Sequence, residues 1–236
     1  MTTSTGKLEQ YMNTIYLVRH AENTANLTKE FSHRLVDYSL TPKGVIQAQQ
    51  TAVYFKDRHI HEIYSSPLKR ARETADIIAQ ELHLPVSVKE QFREVNVGSL
   101  EGRPPNAENW ALHERILQDW REGRHASTFP DGENYTLLVA RMSSGLREVS
   151  AGKSNQNILV VAHGGIITAS IADLCPNIDV EQLLQVENHN CSITEIELAI
   201  DGEHMQATLK QWAFYAHLHG QAAELVSGTY QFETPS

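Results

Sequence analysis

Two histidines stand at the ends of short apolar runs. Ile15-Tyr16-Leu17-Val18 leads into Arg19-His20, and Ile158-Leu159-Val160-Val161-Ala162 leads into His163-Gly164-Gly165. Short runs rich in β-branched residues predict buried strands. A strand covered on both faces cannot hold a guanidinium and an imidazole in mid-span without partners, so these groups belong at the strands' C-terminal tips. In open α/β sheets that edge is where ligands bind. A third strand-to-helix turn, Tyr64-Ser65-Ser66-Pro67-Leu68-Lys69-Arg70-Ala71-Arg72, carries arginines. If the three strands are neighbours, imidazoles and guanidiniums converge on one edge. A neutral imidazole there can attack phosphorus through one ring nitrogen while the other holds its proton against an acceptor such as a backbone carbonyl. Phosphoryl transfer asks mainly for positioning and for positive charge around the equatorial oxygens, and forked guanidinium donors supply both.

The elements that must position these groups can be traced along the chain. Thr41-Pro42-Lys43-Gly44 reads as a helix start, with Thr41 as N-cap and Pro42 in the first turn. That helix is expected to reach about residue 58, with Val45, Ala48, Ala52 and Phe55 inward. A strand is predicted over 63–66. A helix from Pro67 then follows, with a buried stripe of Leu68, Ala71, Ala75, Ile78 and Leu82. Arg70 and Arg72 lie off the stripe in its first turn. Arginines there oppose the helix dipole, which suggests that they serve a bound anion. Further strands are predicted over 85–88 and in a hairpin of 191–199 with 205–209 around Asp201-Gly202. Further helices are predicted over 107–122, 135–149 and 166–174. Residues after Trp212 are left unassigned. Strands alternating with helices predict an α/β three-layer sandwich: a mostly parallel central sheet, helices on both faces and an antiparallel edge. Residues 1–13 are expected to form a flexible N-terminal arm and 14–236 a single domain, with residues 103–130 a helical insertion.

Composition narrows the class. At 236 residues the chain suits one large domain, and 41% hydrophobic residues suffice for its core. A net charge of −9 argues against nucleic acid or an anionic membrane as partner. It does not argue against a phosphate ligand, because a few arginines in a cleft outweigh a diffuse negative surface. Cys175 and Cys191 lack metal-ligand spacing; one disulfide or, as expected of a reducing cytoplasm, two buried thiols would fit. None of the 12 histidines falls in a metal-binding pattern. The first ten residues are polar and lack a signal-peptide core, and no apolar run has the length to span a membrane. The expectation is a cytoplasmic protein without metal or cofactor.

Four motifs, taken in order, resemble the histidine phosphatase superfamily, the phosphoglycerate mutase-like proteins. They are Arg19-His20 with Asn26 six residues after the His, Leu68-x-Arg70-Ala71-x-x-Thr74-Ala75, Glu94 ahead of Gly98-x-x-Glu101-Gly102, and His163-Gly164. The resemblance runs from residue 14 to about residue 200. The sequence departs from it at Ala21, where the family most often has Gly; an Ala with positive φ would be strained. The resemblance implies His20 as the phosphorylated nucleophile and Glu94 as the general acid, later the base that activates water. It implies a phosphate site built from Arg19, Asn26, Arg70, His163, if protonated, and the Gly164 N–H, with Arg72 a flanking salt-bridge residue. It also supports placing the 103–130 insertion over the active edge. Asn23 and Thr24 share the phosphate loop, although loops favour such residues anyway. His113, Arg115, Arg121, Arg124 and His125 either read the substrate's non-phosphate part or form a solvated helix face. Three activities follow: a phosphomonoester hydrolase on a small phosphorylated metabolite, a phosphoglycerate mutase, or a non-catalytic binder of phospho-ligands. The segment 96–102 looks more like the phosphatase branch, and the presence of both His20 and Glu94 argues for catalysis.

Overall fold

Alternation along two strands sorts the interior into two cores, one on each face of a sheet. The computed structural model of the protein describes residues 11–202 and 204–228. Its strands are β1 (Tyr11–Arg19), β2 (Glu62–Ser65), β3 (Val86–Val88), β4 (Asn157–Ala162), β5 (Ile193–Asp201) and β6 (His204–Phe214). Its α-helices are α1 (Thr24–Thr28), α2 (Pro42–Phe55), α3 (Lys69–Leu82), α4 (Ala107–Arg121), α5 (Tyr135–Ser150), α6 (Gly164–Leu174) and α7 (Val180–Leu183). The sheet order is β3-β2-β4-β1-β5-β6. The first four strands run parallel, and β5 and β6 are antiparallel to their neighbours.

Ile15 and Leu17 of β1, with Ile158, Val160 and Ala162 of β4, face a core shared with α5 and α6. Tyr16 and Val18, with Leu159 and Val161, face the opposite way onto α2 and α3. Both faces are therefore apolar, which is why these strands read as continuous hydrophobic runs. Each large aliphatic side chain buried in this way contributes about 1.5–3 kcal/mol. The mostly parallel three-layer α/β sandwich expected from the sequence is what the chain forms.

Several boundaries differ from the sequence reading. Strand β1 begins at Tyr11, so residues 11–13 belong to the sheet rather than to an arm; residues 1–10 lie outside the described residues. Val45 faces outward at 36% exposure, while Gln47 and Thr51 are buried beside Ala48, Ala52 and Phe55. Polar residues can occupy that face because Gln47 Oε1 accepts the Glu22 N–H and its amide donates to the Ala222 carbonyl. The hairpin turns at Asp201-Gly202 as expected, with Gly202 at φ 56°, but β6 extends to Phe214. Beyond it Leu218 and Ala222 pack against Ala48 of α2, which gives part of the unassigned segment a place. Ala21 is not among the residues with positive φ. It is fully buried beside Ala48 and Cys191, so its methyl carries no backbone strain. Both cysteines are free and buried. Among the described residues no helix is long and apolar enough to cross a membrane.

Candidate active site

Strands β2, β4 and β1 are consecutive in the sheet and parallel, so their C-terminal tips lie side by side. Arg19 stands opposite Ala162, and Ser65 opposite Val161. That register brings Arg19-His20, His163 and Ser66 together. Because β5 is antiparallel, the loop before it enters at the same edge and clamps the first tip. Cys191 N–H donates to the Arg19 carbonyl at 3.0 Å, and Asn190 Nδ2 donates to the His20 carbonyl at 2.9 Å.

His20 is buried, with 3% exposure. Its Nδ1 lies 2.8 Å from the Ala21 carbonyl, and Arg70 Nε donates to its Nε2 at 3.1 Å. A carbonyl can only accept, so Nδ1 carries the proton and Nε2 the lone pair. Burial first, and then the guanidiniums of Arg70 and Arg19, hold the imidazole well below its usual pKa; it is therefore neutral.

Burial lowers Arg19, and it pushes Arg70 down to about 10; both stay charged near neutrality. Arg70 donates to Ser32 Oγ at 2.8 Å and to the Ser32 carbonyl at 2.9 Å, with Asp37 at 3.9 Å. Arg19 donates to the Asn188 carbonyl, and its buried Nε has no hydrogen-bond partner. Among the described residues no carboxylate lies within ion-pair distance of Arg19. Buried charges are ordinarily paired; Arg70 has Asp37, whereas Arg19 has no such carboxylate among the described residues, so its guanidinium beside the imidazole is suited to an anionic ligand.

Asn26 Oδ1 accepts from Asn23 N–H at 3.0 Å and from Asn190 Nδ2 at 3.1 Å, which leaves the NH₂ end of the amide for the cavity. His163 is wholly buried. Its Nε2 lies 2.7 Å from Ser66 Oγ, and its Nδ1 is buried without a partner. Burial, then Arg70 and His20, hold it well below the usual histidine range. The positive donor expected there is thus neutral in the unliganded protein, and a nearby anion would favour its protonation.

Glu94 sits at the N-terminus of α6. Its Oε1 accepts from Val95 N–H and Ile166 N–H, both at 2.8 Å, and its Oε2 accepts from Gly165 N–H at 3.1 Å. Gly165 has to be glycine for this approach: a Cβ would lie 2.6 Å from Glu94 Oε1. The Glu94 segment is anchored by Arg141, which donates to the carbonyls of Gln91 at 2.8 Å and Arg93 at 2.7 Å.

These groups open into a cleft of about 850 Å³ lined by Arg19, His20, Asn23, Asn26, Arg70, Glu94 and Gly164. Helix α4, from the expected insertion, contributes Trp110, His113, Leu117 and Arg121, and the segment after it contributes His125. Thr24, Arg72, Arg115 and Arg124 are exposed and do not line it. Arg124 pairs with Asp119 and Glu122. Arg72 has no ion-pair partner among the described residues, so the flanking salt bridge expected of it does not form. His163 stays behind the cavity wall.

Several positioning residues escaped the sequence reading. Ser32 grips Arg70. Thr74 Oγ accepts the Ala21 N–H at 3.0 Å and donates to the Arg70 carbonyl at 2.7 Å, tying the His20 loop to α3; its place in the second motif was the available signal. Glu101 is not in the cavity. One of its oxygens accepts the N–H groups of His33, Arg34, Leu35 and Val36 at 2.6–3.1 Å. Burial pushes this carboxyl up, but those four bonds prevail and hold it below the usual range. Glu101 thereby orders the loop that carries Ser32. Among the described residues no group of three or more His, Cys, Asp or Glu side chains is arranged to hold a metal ion.

A family model described as histidine phosphatase superfamily (branch 1) matches residues 15–211. The chain is 34% identical to "Putative phosphoserine phosphatase 2" of Hydrogenobacter thermophilus over 190 residues, 79% of this chain and 90% of that one. It is 33% identical to "Probable phosphoglycerate mutase GpmB" of Escherichia fergusonii, over 78% of this chain and 84% of that one. Among solved structures it resembles a phosphoserine phosphatase from Entamoeba histolytica in complex with 3-phosphoglyceric acid. The TM-score is 0.70 at 25% identity, covering 88% of this chain and all of that one.

Proposed function

The chain belongs to the histidine phosphatase superfamily and is a phosphomonoesterase, and we propose that it hydrolyses its substrate through a phosphohistidine on His20 without a metal ion. The observation that carries this reading is the neutral His20 imidazole, its Nδ1 proton on the Ala21 carbonyl and its Nε2 beside Arg70, next to the unpaired Arg19. The substrate phosphate is the anion that these guanidiniums suit. Arg19, Arg70 and the Asn26 amide take its equatorial oxygens, and His163, once the phosphate favours its protonation, adds positive charge from behind the cavity wall.

The lone pair that attacks is the one the Arg70 N–H meets in the unliganded protein, so phosphate must first draw Arg70 away. Nε2 then bonds to phosphorus, the P–O bond to the alcohol breaks, and Glu94 gives the departing oxygen its proton. In the second half, Glu94 takes a proton from water, the water oxygen bonds to phosphorus, and the P–N bond breaks. Inorganic phosphate leaves and His20 is restored. Guanidinium charge does the work that a cation does in metal-dependent phosphoryl transfer.

A phosphoglycerate mutase reading draws on the GpmB relative. It would send the phosphoryl group back to a second hydroxyl and would require exclusion of water. The short 96–102 segment, without a long basic loop, favours hydrolysis. The test is rapid quenching with labelled substrate in the presence of EDTA. An acid-labile, base-stable phosphoenzyme should form in the wild type and not in His20→Ala. Its persistence in the variant, or loss of turnover in EDTA restored by one divalent metal, would overturn the reading.

A further inference from the structure

The floor of the cleft accounts for a phosphate; the rest of it is far larger than a three-carbon phosphoester needs, and about 850 Å³ is in the range that encloses a drug-sized ligand. One wall is a run of aromatic rings. Phe31 lies 4.7 Å from Trp110 between centroids, Trp120 lies 5.8 Å from Tyr135, and His125 stacks on Tyr135 at 4.2 Å. Their polar atoms are already engaged inside the protein. Trp110 Nε1 donates to the Lys29 carbonyl at 3.1 Å, Trp120 Nε1 to the Ser127 carbonyl at 2.7 Å, and the Tyr135 hydroxyl to Asp173. What these three, mostly buried, present at the cleft wall is ring carbon. Leu117, Val95 and Ala169 extend the apolar lining.

The charges away from the floor point the same way. Glu30, Glu114 and Asp173 line the cleft against Lys29 and Arg121, and Glu187 stands nearer Arg19. Lys29 is held on the Ser227 carbonyl and Arg121 on Gln118. A second anionic group on the substrate would meet more carboxylates than cations, and in a partly closed cleft that repulsion is weakly screened. Such a site rejects by charge as well as by shape.

Resting on the phosphatase reading, we propose that this cleft selects phosphomonoesters that carry an aromatic ring system and no second anionic group. Carboxylated esters such as those in the names of the relatives would then be poor substrates for this chain. Ring stacking and apolar burial on the wall made by Trp110, Trp120 and Leu117 supply the preference.

The experiment compares kcat/KM for 2-phenylethyl phosphate, glycerol 1-phosphate, phosphoserine and 3-phosphoglycerate. All four lose a primary alkoxide, so the demand on the proton donor is similar. The phenylethyl ester should exceed the two carboxylated esters by roughly tenfold or more, the scale of one well-packed aromatic contact. That ratio should collapse in Trp110→Ala, and in Leu117→Ala if the tryptophan variant does not fold. In Glu114→Gln the carboxylated esters should gain on glycerol 1-phosphate. Turnover of all four esters without the aromatic preference would overturn this inference and leave the phosphatase reading standing. So would a preference that both wall variants leave unchanged. Failure to hydrolyse any of the four would overturn both.

Discussion

Thr74→Val removes one oxygen from the centre of the scaffold behind His20. The hydroxyl accepts the Ala21 N–H at 3.0 Å and donates to the Arg70 carbonyl at 2.7 Å. The two bonds are not equivalent. As a residue in the first turn of α3, Arg70 directs its carbonyl to an N–H four residues on, so losing the second partner costs little. The Ala21 N–H belongs to a residue with no exposure, and valine leaves it without an acceptor. An orphaned buried donor costs about 1–3 kcal/mol. For a domain of this size each kcal/mol moves Tm by about 2–4 °C, so the expected fall is roughly 2–12 °C. The same residue presents, on its following peptide, the carbonyl that holds His20 Nδ1. Phosphoenzyme formation in a single turnover should therefore slow as well, even at temperatures where the variant is fully folded. Thr74→Ser keeps the oxygen and should recover most of both losses. Thermal melts and quenched-flow phosphorylation provide the readouts. A valine variant that melts within a degree of wild type and phosphorylates at the same rate would refute the hydrogen-bond argument, and so would a serine variant that recovers neither property.

Glu94→Gln should slow the phosphorylation step by about 10²–10⁴-fold with an alkyl phosphate and far less with p-nitrophenyl phosphate, whose leaving group needs no proton; equal losses in single-turnover rates would remove Glu94 as the proton donor. In Gly165→Ala the new Cβ would fall 2.6 Å from Glu94 Oε1 and 2.9 Å from Val95 Cγ2, so the carboxylate must leave the α6 N-terminus. The variant should reproduce the leaving-group pattern of Glu94→Gln, and wild-type rates with alkyl phosphates would contradict this placement. Stability should also depend on pH. His20 and His163 are held well below the ordinary histidine value chiefly by burial, and His217 is pushed down to about 4. As pH falls through about 6.5 the unfolded chain takes up these protons while the folded protein does not. Their stabilising contribution is full above that pH and is lost toward the folded values. Tm measured without ligand should fall between about pH 6.5 and 5, and a flat or rising Tm there would contradict the burial assigned to these imidazoles.

The sequence by itself determined the candidate catalytic groups and their order along the chain. Two apolar runs ending in His20 and His163, and a helix opening on Arg70, are local signals, because burial of a strand on both faces leaves its tip as the place for a charge. Adjacency of the three tips required the sheet order, in which β4, formed late in the chain, is inserted between β1 and β2. The choice of Arg70 over Arg72 followed from a resemblance; its physical reason lies in the loop that brings Ser32 over α3, some 38 residues upstream in sequence. Glu101 illustrates the same limit. As a letter it is a carboxylate in a motif, equally fit to donate a proton, and only the fold turns it onto four consecutive N–H groups and away from the cavity. The aromatic wall and the carboxylates around the floor of the cleft were not legible, because they come from α4, the 29–32 segment, α5, α6 and the loop before β5. Periodicity reports which face of an element is apolar. Which separate apolar faces meet around one ligand is decided by how the whole chain packs.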